Sequence, residues 1–344
     1  MRILILGNMG YVGPVAVREF RRRWPDATLI GFDTGFFGHC LVTRGTLPEV
    51  LLNEQIFGDV RSISRETFEG CDAVVYLAAL SNDVLGNLNE DVTLEINYRC
   101  AIRAAEMAKA AGARAFVYAS SCSVYGFAED AARTERSEVN PLTAYAKSKV
   151  FAERDLAPLA SDTFRVTCLR FATACGMSDR LRLDLVLNDF VAAAVTSGTI
   201  TILSDGTPWR PLIDVKDMAR TLAWAIERAG DPFVLVNAGS DEWNYRVREL
   251  ATVVADEIPG TEVSINTEAA PDRRSYRVDF SMFRALAPDD QPQVTIAESV
   301  RELVAGLTDA GFHDRDFRQS PLMRIHTLNR LRSVGRLRED LTWA

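Results

Sequence analysis

The chain has 344 residues, 47% hydrophobic and 25% charged, with a formal net charge of −8. That length holds two ordinary domains or one large one with an ample core, and the balanced composition excludes disordered, collagen-like and low-complexity chains. The excess of 47 Asp+Glu over 39 Lys+Arg argues against a nucleic-acid partner, which needs a basic field, and no apolar run reaches the roughly 18 residues of a membrane span.

The opening stretch, Met1 to Gly7, is too short for a secretory signal and runs directly into glycines. From there to residue 175, short apolar runs at 2–6, 28–32, 56–59, 73–77, 115–120 and 165–171 read as buried strands. Between them, residues 12–23, 62–69, 92–111 and 144–156 carry apolar side chains at helical spacing. Such alternation predicts an α/β protein with a doubly wound parallel sheet covered on both faces. After residue 175 the rhythm changes. Helices are expected at 183–197, 215–228 and 246–258, and strands at 200–203, 211–215, 233–237 and 263–266. Thr295 and Glu298 have capping-box spacing and open a helix toward Leu307. The division expected is 1–175 for a dinucleotide domain to which later segments return, 176–310 for a smaller α/β substrate lobe, and 311–344 for an arginine-rich helical tail. That tail reads as a solvated amphipathic helix packed on the body or on a partner, in preference to an anion site. Six cysteines without CxxC pairs and three scattered histidines predict free thiols in a reducing, cytoplasmic compartment and no metal site.

Gly7, Gly10 and Gly13 follow the first strand and open the first helix. Glycines there permit a sharp turn and close backbone approach, and a helix N-terminus then offers N–H donors to a diphosphate. The spacing is GxxGxxG, so the loop alone is a weak signal. Asp33, twenty residues after Gly13 at the end of the second strand, strengthens it as an acceptor for ribose hydroxyls. With no arginine beside it in sequence before Arg44, NAD is favoured over NADP. Asp59 and Val60 are placed for the adenine edge, and Leu77, Ala78 and Ala79 offer small surfaces at the end of the fourth strand.

Tyr145 and Lys149 are i,i+4 on a helix that starts near Thr143, and so share one face. A tyrosine of ordinary pKa, about 10, is a poor base, and an adjacent ammonium stabilises its phenolate. Ser120 to Gly126, ending the fifth strand, puts hydroxyls at the sheet end where such folds bind ligands.

With Leu169-Arg170-Phe171, Asp205-Gly206, Arg210 and Asp214-Val215 further on, these motifs together resemble the extended short-chain dehydrogenases/reductases. The group resembled is the NAD-dependent epimerase/dehydratase one, which acts on nucleotide sugars, and the resemblance runs over about residues 1–310. It implies a Rossmann-type domain, a nucleotide-sugar lobe, and a homodimer through the helices near 92–111 and 144–156. It implies Ser121, Tyr145 and Lys149 as the catalytic set, Tyr145 being the base. NAD would be held by Gly7, Gly10, Tyr11, Val12, Gly13, Asp33, Asp59, Val60, Leu77, Ala78, Ala79, Asn97 and Phe171, with Tyr145 and Lys149 at the nicotinamide end. Asn97 would support the lysine through water. Arg210 would clamp the nucleotide-sugar diphosphate, with Ser123, Asp184, Asn188, Arg274 and Arg277 as further substrate contacts. In the polar loop Ser81, Asn82 and Asp83, a sugar contact and a capping turn are equally supported.

Departures narrow the chemistry. Cys122 and Ser123 stand where sugar 4,6-dehydratases carry Asp-Glu, which disfavours dehydration. Cys122 lies three residues before Tyr125, one register off the catalytic cysteine of the 3,5-epimerases, and reads as a packing thiol rather than an acid or base. Thr173 replaces the usual Asn of the RxxNxxG motif. The expectation is an NAD-dependent nucleotide-sugar epimerase acting through a keto intermediate. A 4-ketoreductase or dehydratase of the same group, and a catalytically silent NAD-binding protein, stay open.

Overall fold

The computed structural model describes residues 1–43, 45–81, 89–128, 131–269 and 275–344. Its first half is laid out as β1 (Arg2–Leu6), α1 (Gly13–Arg23), β2 (Thr28–Asp33), β3 (Glu54–Phe57), β4 (Ala73–Tyr76), α2 (Glu90–Leu94), α3 (Cys100–Ala110), β5 (Ala115–Ser121), α4 (Ala144–Leu156) and β6 (Arg165–Phe171). There follow β7 (Thr173–Cys175), α5 (Val186–Ser197), β8 (Thr199–Ile202), β9 (Trp209–Asp214), α6 (Val215–Glu227) and β10 (Phe233–Ala238). The remainder is β11 (Asn244–Arg246), α7 (Val247–Glu257), β12 (Glu262–Ile265), α8 (Ser281–Leu286), α9 (Ile296–Asp309) and α10 (Arg324–Ser333).

Seven strands form one sheet in the order β10-β6-β5-β4-β1-β2-β3, every pairing parallel. Alternate residues of one strand feed opposite cores. Ile3, Ile5, Val75 and Val117 pack with Phe20 of α1 and Leu222 of α6, while Leu4, Leu6, Val74 and Phe116 pack with Ala104 of α3 and Leu156 of α4. The strand order reverses between β1 and β4, which opens a crevice at their C-terminal ends. The later segments α6 and β10 return to this sheet. A third core, around Leu187, Val191, Ile202, Leu250 and Leu303, joins α5, α7, α9 and the small β8/β12 pair.

The arginine-rich tail bridges two of these cores. Phe317 and Leu322 enter the third core, whereas Leu328, Leu331, Leu337 and Leu341 enter the α3/α4 face of the main sheet. It packs on the body as expected, but it is not simply solvated, because Arg324 at the start of α10 is 4% exposed.

Three expectations need correction. Residues 62–69 form two 3₁₀ turns, Val60–Ser62 and Arg65–Phe68, because Ile63 and Phe68 are both buried and would lie about 140° apart on one straight helix. The 92–111 helix contains a π turn, Glu95–Arg99. The helix expected from 183 starts at Val186; Arg182 to Asp184 stay outside it, joined by a bidentate ion pair.

Candidate active site

The turn after β1 is shaped by contact. Gly7 has φ +91°, and a Cβ there would sit 2.5 Å from the Ala78 nitrogen. A Cβ on Gly13 would collide with the Asn8 backbone. The loop is thus pressed against the end of β4 and the start of α1, and the N–H groups of Gly7, Met9 and Gly10 donate within the protein, to the Phe32 carbonyl, the Asp33 carboxylate and the Gly7 carbonyl. Asp33 accepts from the Met9 N–H (3.0 Å) and the Gly35 N–H (2.7 Å), and burial raises its carboxyl despite both bonds.

Two cavities adjoin this loop. The smaller, about 90 Å³, is lined by Asp33, Asp59, Val60 and Leu77 to Ala79 among others. Its wall is mostly apolar and carries two acidic groups, Asp33 and Asp59. Asp59 sits there differently from expectation: its carboxylate is held by Arg61, whose Nη2 lies 2.6 Å away, and also caps the following turn. Arg180, far away in sequence, lies close enough to lower the Asp33 carboxyl, a neighbour that reading along the chain misses.

The larger cavity, about 990 Å³, begins at the same glycine loop and runs past Phe171, Thr173, Asp184 and Arg210. Ser121, Tyr145 and Lys149 meet in its wall. Ser121 ends β5 and caps the turn Cys122–Tyr125, accepting from the Ser123 N–H at 3.1 Å. The neighbouring Ser120 turns inward to Glu153, as strand alternation requires. Thr143 caps α4, accepting from the Ala146 N–H, and this sets the face that carries Tyr145 and Lys149. The Lys149 Nζ donates to the Ala119 carbonyl at 2.7 Å, and lies 5.3 Å from the Tyr145 ring centre and 4.7 Å from that of Tyr118. Burial pulls its ammonium down to about 7, with Glu153 opposing. The Ser123 hydroxyl is buried against the same cavity and makes no hydrogen bond.

Two expected contacts are taken by the protein itself. Asn97, in the π turn, accepts from the Leu80 N–H (2.8 Å) and donates to the Leu80 carbonyl and Ser148; its amide holds the loop after β4 and does not turn to Lys149. Asn188 accepts from the Gly176 N–H and donates to the Arg182 carbonyl and the Tyr11 hydroxyl, so it stitches the lobe to the glycine loop instead of facing a ligand. Tyr11 completes that stitch by donating to the Gly176 carbonyl at 2.6 Å. Arg277 stacks at 5.2 Å on Trp209, beside Arg210. Arg170 of the RxxNxxG motif is buried in an ion pair with Glu153. Cys122 donates to the Arg170 carbonyl, and burial raises its thiol well above the ordinary range. Asn82, Asp83 and Arg274 lie outside the described residues.

Three cationic side chains in the cavity wall, Arg182, Arg318 and Arg324, escaped sequence reasoning. Arg182 is held by Asp184 and donates to the Ser81 hydroxyl at 2.9 Å. Its signal was the Arg-x-Asp spacing, which in extended chain puts both on one side. Arg318 and Arg324 come from the tail, where nothing distinguishes them from their neighbours. Among the described residues no group of three or more His, Cys, Asp or Glu side chains could hold a metal ion. No helix of the described residues is long and apolar enough to cross a membrane.

The sequence profile of the NAD-dependent epimerase/dehydratase family matches residues 3–239. The chain is 29% identical over 326 residues to UDP-glucose 4-epimerase of Mycolicibacterium smegmatis, a match covering 88% of this chain and 97% of that one. It is 24% identical over 311 residues to UDP-glucuronic acid decarboxylase 6 of Arabidopsis thaliana, covering 87% of each. MoeE5, solved in complex with UDP-glucose and NAD, shares the fold with a TM-score of 0.76 at 23% identity, over 90% of this chain and 99% of that one.

Proposed function

The chain belongs to the NAD-dependent epimerase/dehydratase family, and on that premise we propose that it is an epimerase of nucleotide sugars. The observation that carries this reading is the convergence of Ser121, Tyr145 and Lys149 on a single large cavity that starts at the glycine loop. NAD, when bound, supplies a hydride acceptor that can also return the hydride. Asp33 would hold the adenosine ribose, and the N–H groups at the start of α1 would hold the diphosphate.

Tyr145, as phenolate, takes the proton of a sugar hydroxyl, and the Ser121 hydroxyl donates to the same oxygen. Lys149, protonated, stabilises the phenolate, a contribution of the few kcal/mol typical of positioned acid–base groups. Arg210 holds the substrate diphosphate as a planar, permanently charged donor. Cys122, turned toward the Arg170 carbonyl, offers no acid or base to the cavity, which supports inversion over elimination. The names of the relatives favour a uridine diphosphate sugar, and the family resemblance favours a homodimer through α3 and α4.

The test is incubation of the purified protein with UDP-glucose, UDP-galactose or UDP-glucuronate without added NADH. An isomer of unchanged mass, with no net change in nicotinamide absorbance, is expected. Tyr145→Phe should still bind NAD and lose turnover. A product lighter by water or by carbon dioxide, a requirement for NADH, or full activity of Tyr145→Phe would each overturn the assignment.

A further inference from the structure

The wall of the large cavity is completed by the C-terminal segment, through Arg318, Met323, Arg324 and Ile325. Three of these have ordinary explanations: Arg318 is paired with Asp189, and Met323 and Ile325 are apolar. Arg324 does not. Its side chain is buried, its Nη2 donates to the Arg180 carbonyl at 2.7 Å, and its Nη1 has no hydrogen-bond acceptor. The Cys40 thiol, a weak partner, is adjacent. Among the described residues the carboxylate that acts on it is Asp184, which is already engaged by the Nε and Nη2 of Arg182. Two buried cations therefore share one anion. A buried charge left so is unfavourable unless an anion from outside completes it.

Position tells which anion. Arg324 lies 4.3 Å above the ring centre of Phe37, and Phe37, Gly7 and Gly10 line both cavities. Arg324 thus stands at the seam where the smaller cavity opens into the large one, and the glycine loop borders that seam. A dinucleotide threaded through both cavities carries its diphosphate there. We propose that Arg324, supported by Arg182, binds the diphosphate of the dinucleotide, so that the C-terminal segment clasps the cofactor. The far end of the segment is fastened beside the smaller cavity. Arg61 donates to the carbonyls of Asp340 (2.7 Å) and Leu341 (3.3 Å), and Trp343 donates to the Thr34 carbonyl (2.8 Å) and packs 5.3 Å from Phe36 of that cavity.

The inference rests on the dinucleotide reading above, and the test separates the two. Full-length protein freed of nucleotide is titrated calorimetrically with NAD, ADP-ribose, adenosine and UDP, as wild type, Arg324→Met and Arg324→Lys. The methionine variant should bind NAD and ADP-ribose about tenfold or more weakly, with a shallower salt dependence, and bind adenosine and UDP within about twofold of wild type. The lysine variant should recover part of the loss. A loss confined to UDP would assign the arginine to the substrate's diphosphate and overturn the clasp. So would unchanged NAD binding, or an equal loss for all four ligands, which marks mere packing. Should Arg324→Met not fold, Arg324→Gln, which keeps a donor for the Arg180 carbonyl, is read by the same titrations. If wild type fails to bind NAD, both readings fall; if it binds and the variants match it, only the clasp does.

Discussion

Lys149 combines two opposed demands in one side chain. In the role proposed for it, it must be charged to stabilise a phenolate, yet burial pulls its pKa down to about 7. Replacing it by methionine removes the cation beside Tyr145 and leaves the phenol nearer its ordinary value of about 10. The acidic limb of the pH profile of kcat/KM is therefore expected to move to higher pH by about one to three units in Lys149→Met. An unmoved limb would remove Lys149 from the role. Stability carries the same signature. With a folded pKa near about 7 and an ordinary one near about 10.4, the unfolded chain binds more protons in that interval, and stability rises with pH across it. The methionine variant should lack this rise in urea unfolding at several pH values. Tyr145 and Lys149 are legible in sequence because their chemistry fits within one helical turn. Arg324 is not, since it acquires its place by meeting the Arg180 carbonyl, 144 residues away, and no spacing rule spans that distance.

At the scale of elements, the wall that carries Tyr145 and Lys149 is braced by a buried ion pair. Glu153 of α4 accepts from Ser120 of β5 and from Arg170 of β6, while Arg170 also donates to the Tyr125 hydroxyl, which donates to Asn237 of β10. Four elements are locked by one carboxylate that is 5% exposed. Glu153→Ala strands the Arg170 charge in the interior, and a loss of about 3–5 kcal/mol is expected in denaturant unfolding; a loss below about 1 kcal/mol would mean that the wall relaxes around the gap. Long elements with regular apolar periodicity are legible from sequence, β6 and α4 to the residue. Segments that depart from periodicity are not. Between β3 and β4 the chain bends twice to bury Ile63 and Phe68, and the π turn rotates Asn97 toward Leu80, decisions made by tertiary contacts.

At the scale of the molecule, strand–helix alternation reveals the parallel sheet and its crevice, because each buried strand between two helices admits few other arrangements. How the tail closes on that sheet is a matter of distant contacts, and composition alone made its arginines look solvated. Binding of NAD should stabilise the whole fold, by about 2.7 kcal/mol when ligand stands at a hundred times its Kd. Slower amide exchange is expected both in residues 34–42 and in residues 324–343; protection confined to the first 175 residues would show that the two halves do not act together on the cofactor. The bond between Trp343 and Thr34 joins residues 309 apart. A ribosome adding about 5 to 20 residues per second needs roughly 15 to 60 seconds to cross that interval. The sheet and glycine loop thus emerge long before Trp343, so the contact of its ring with Phe36, which lines the smaller cavity, closes only after synthesis reaches residue 343.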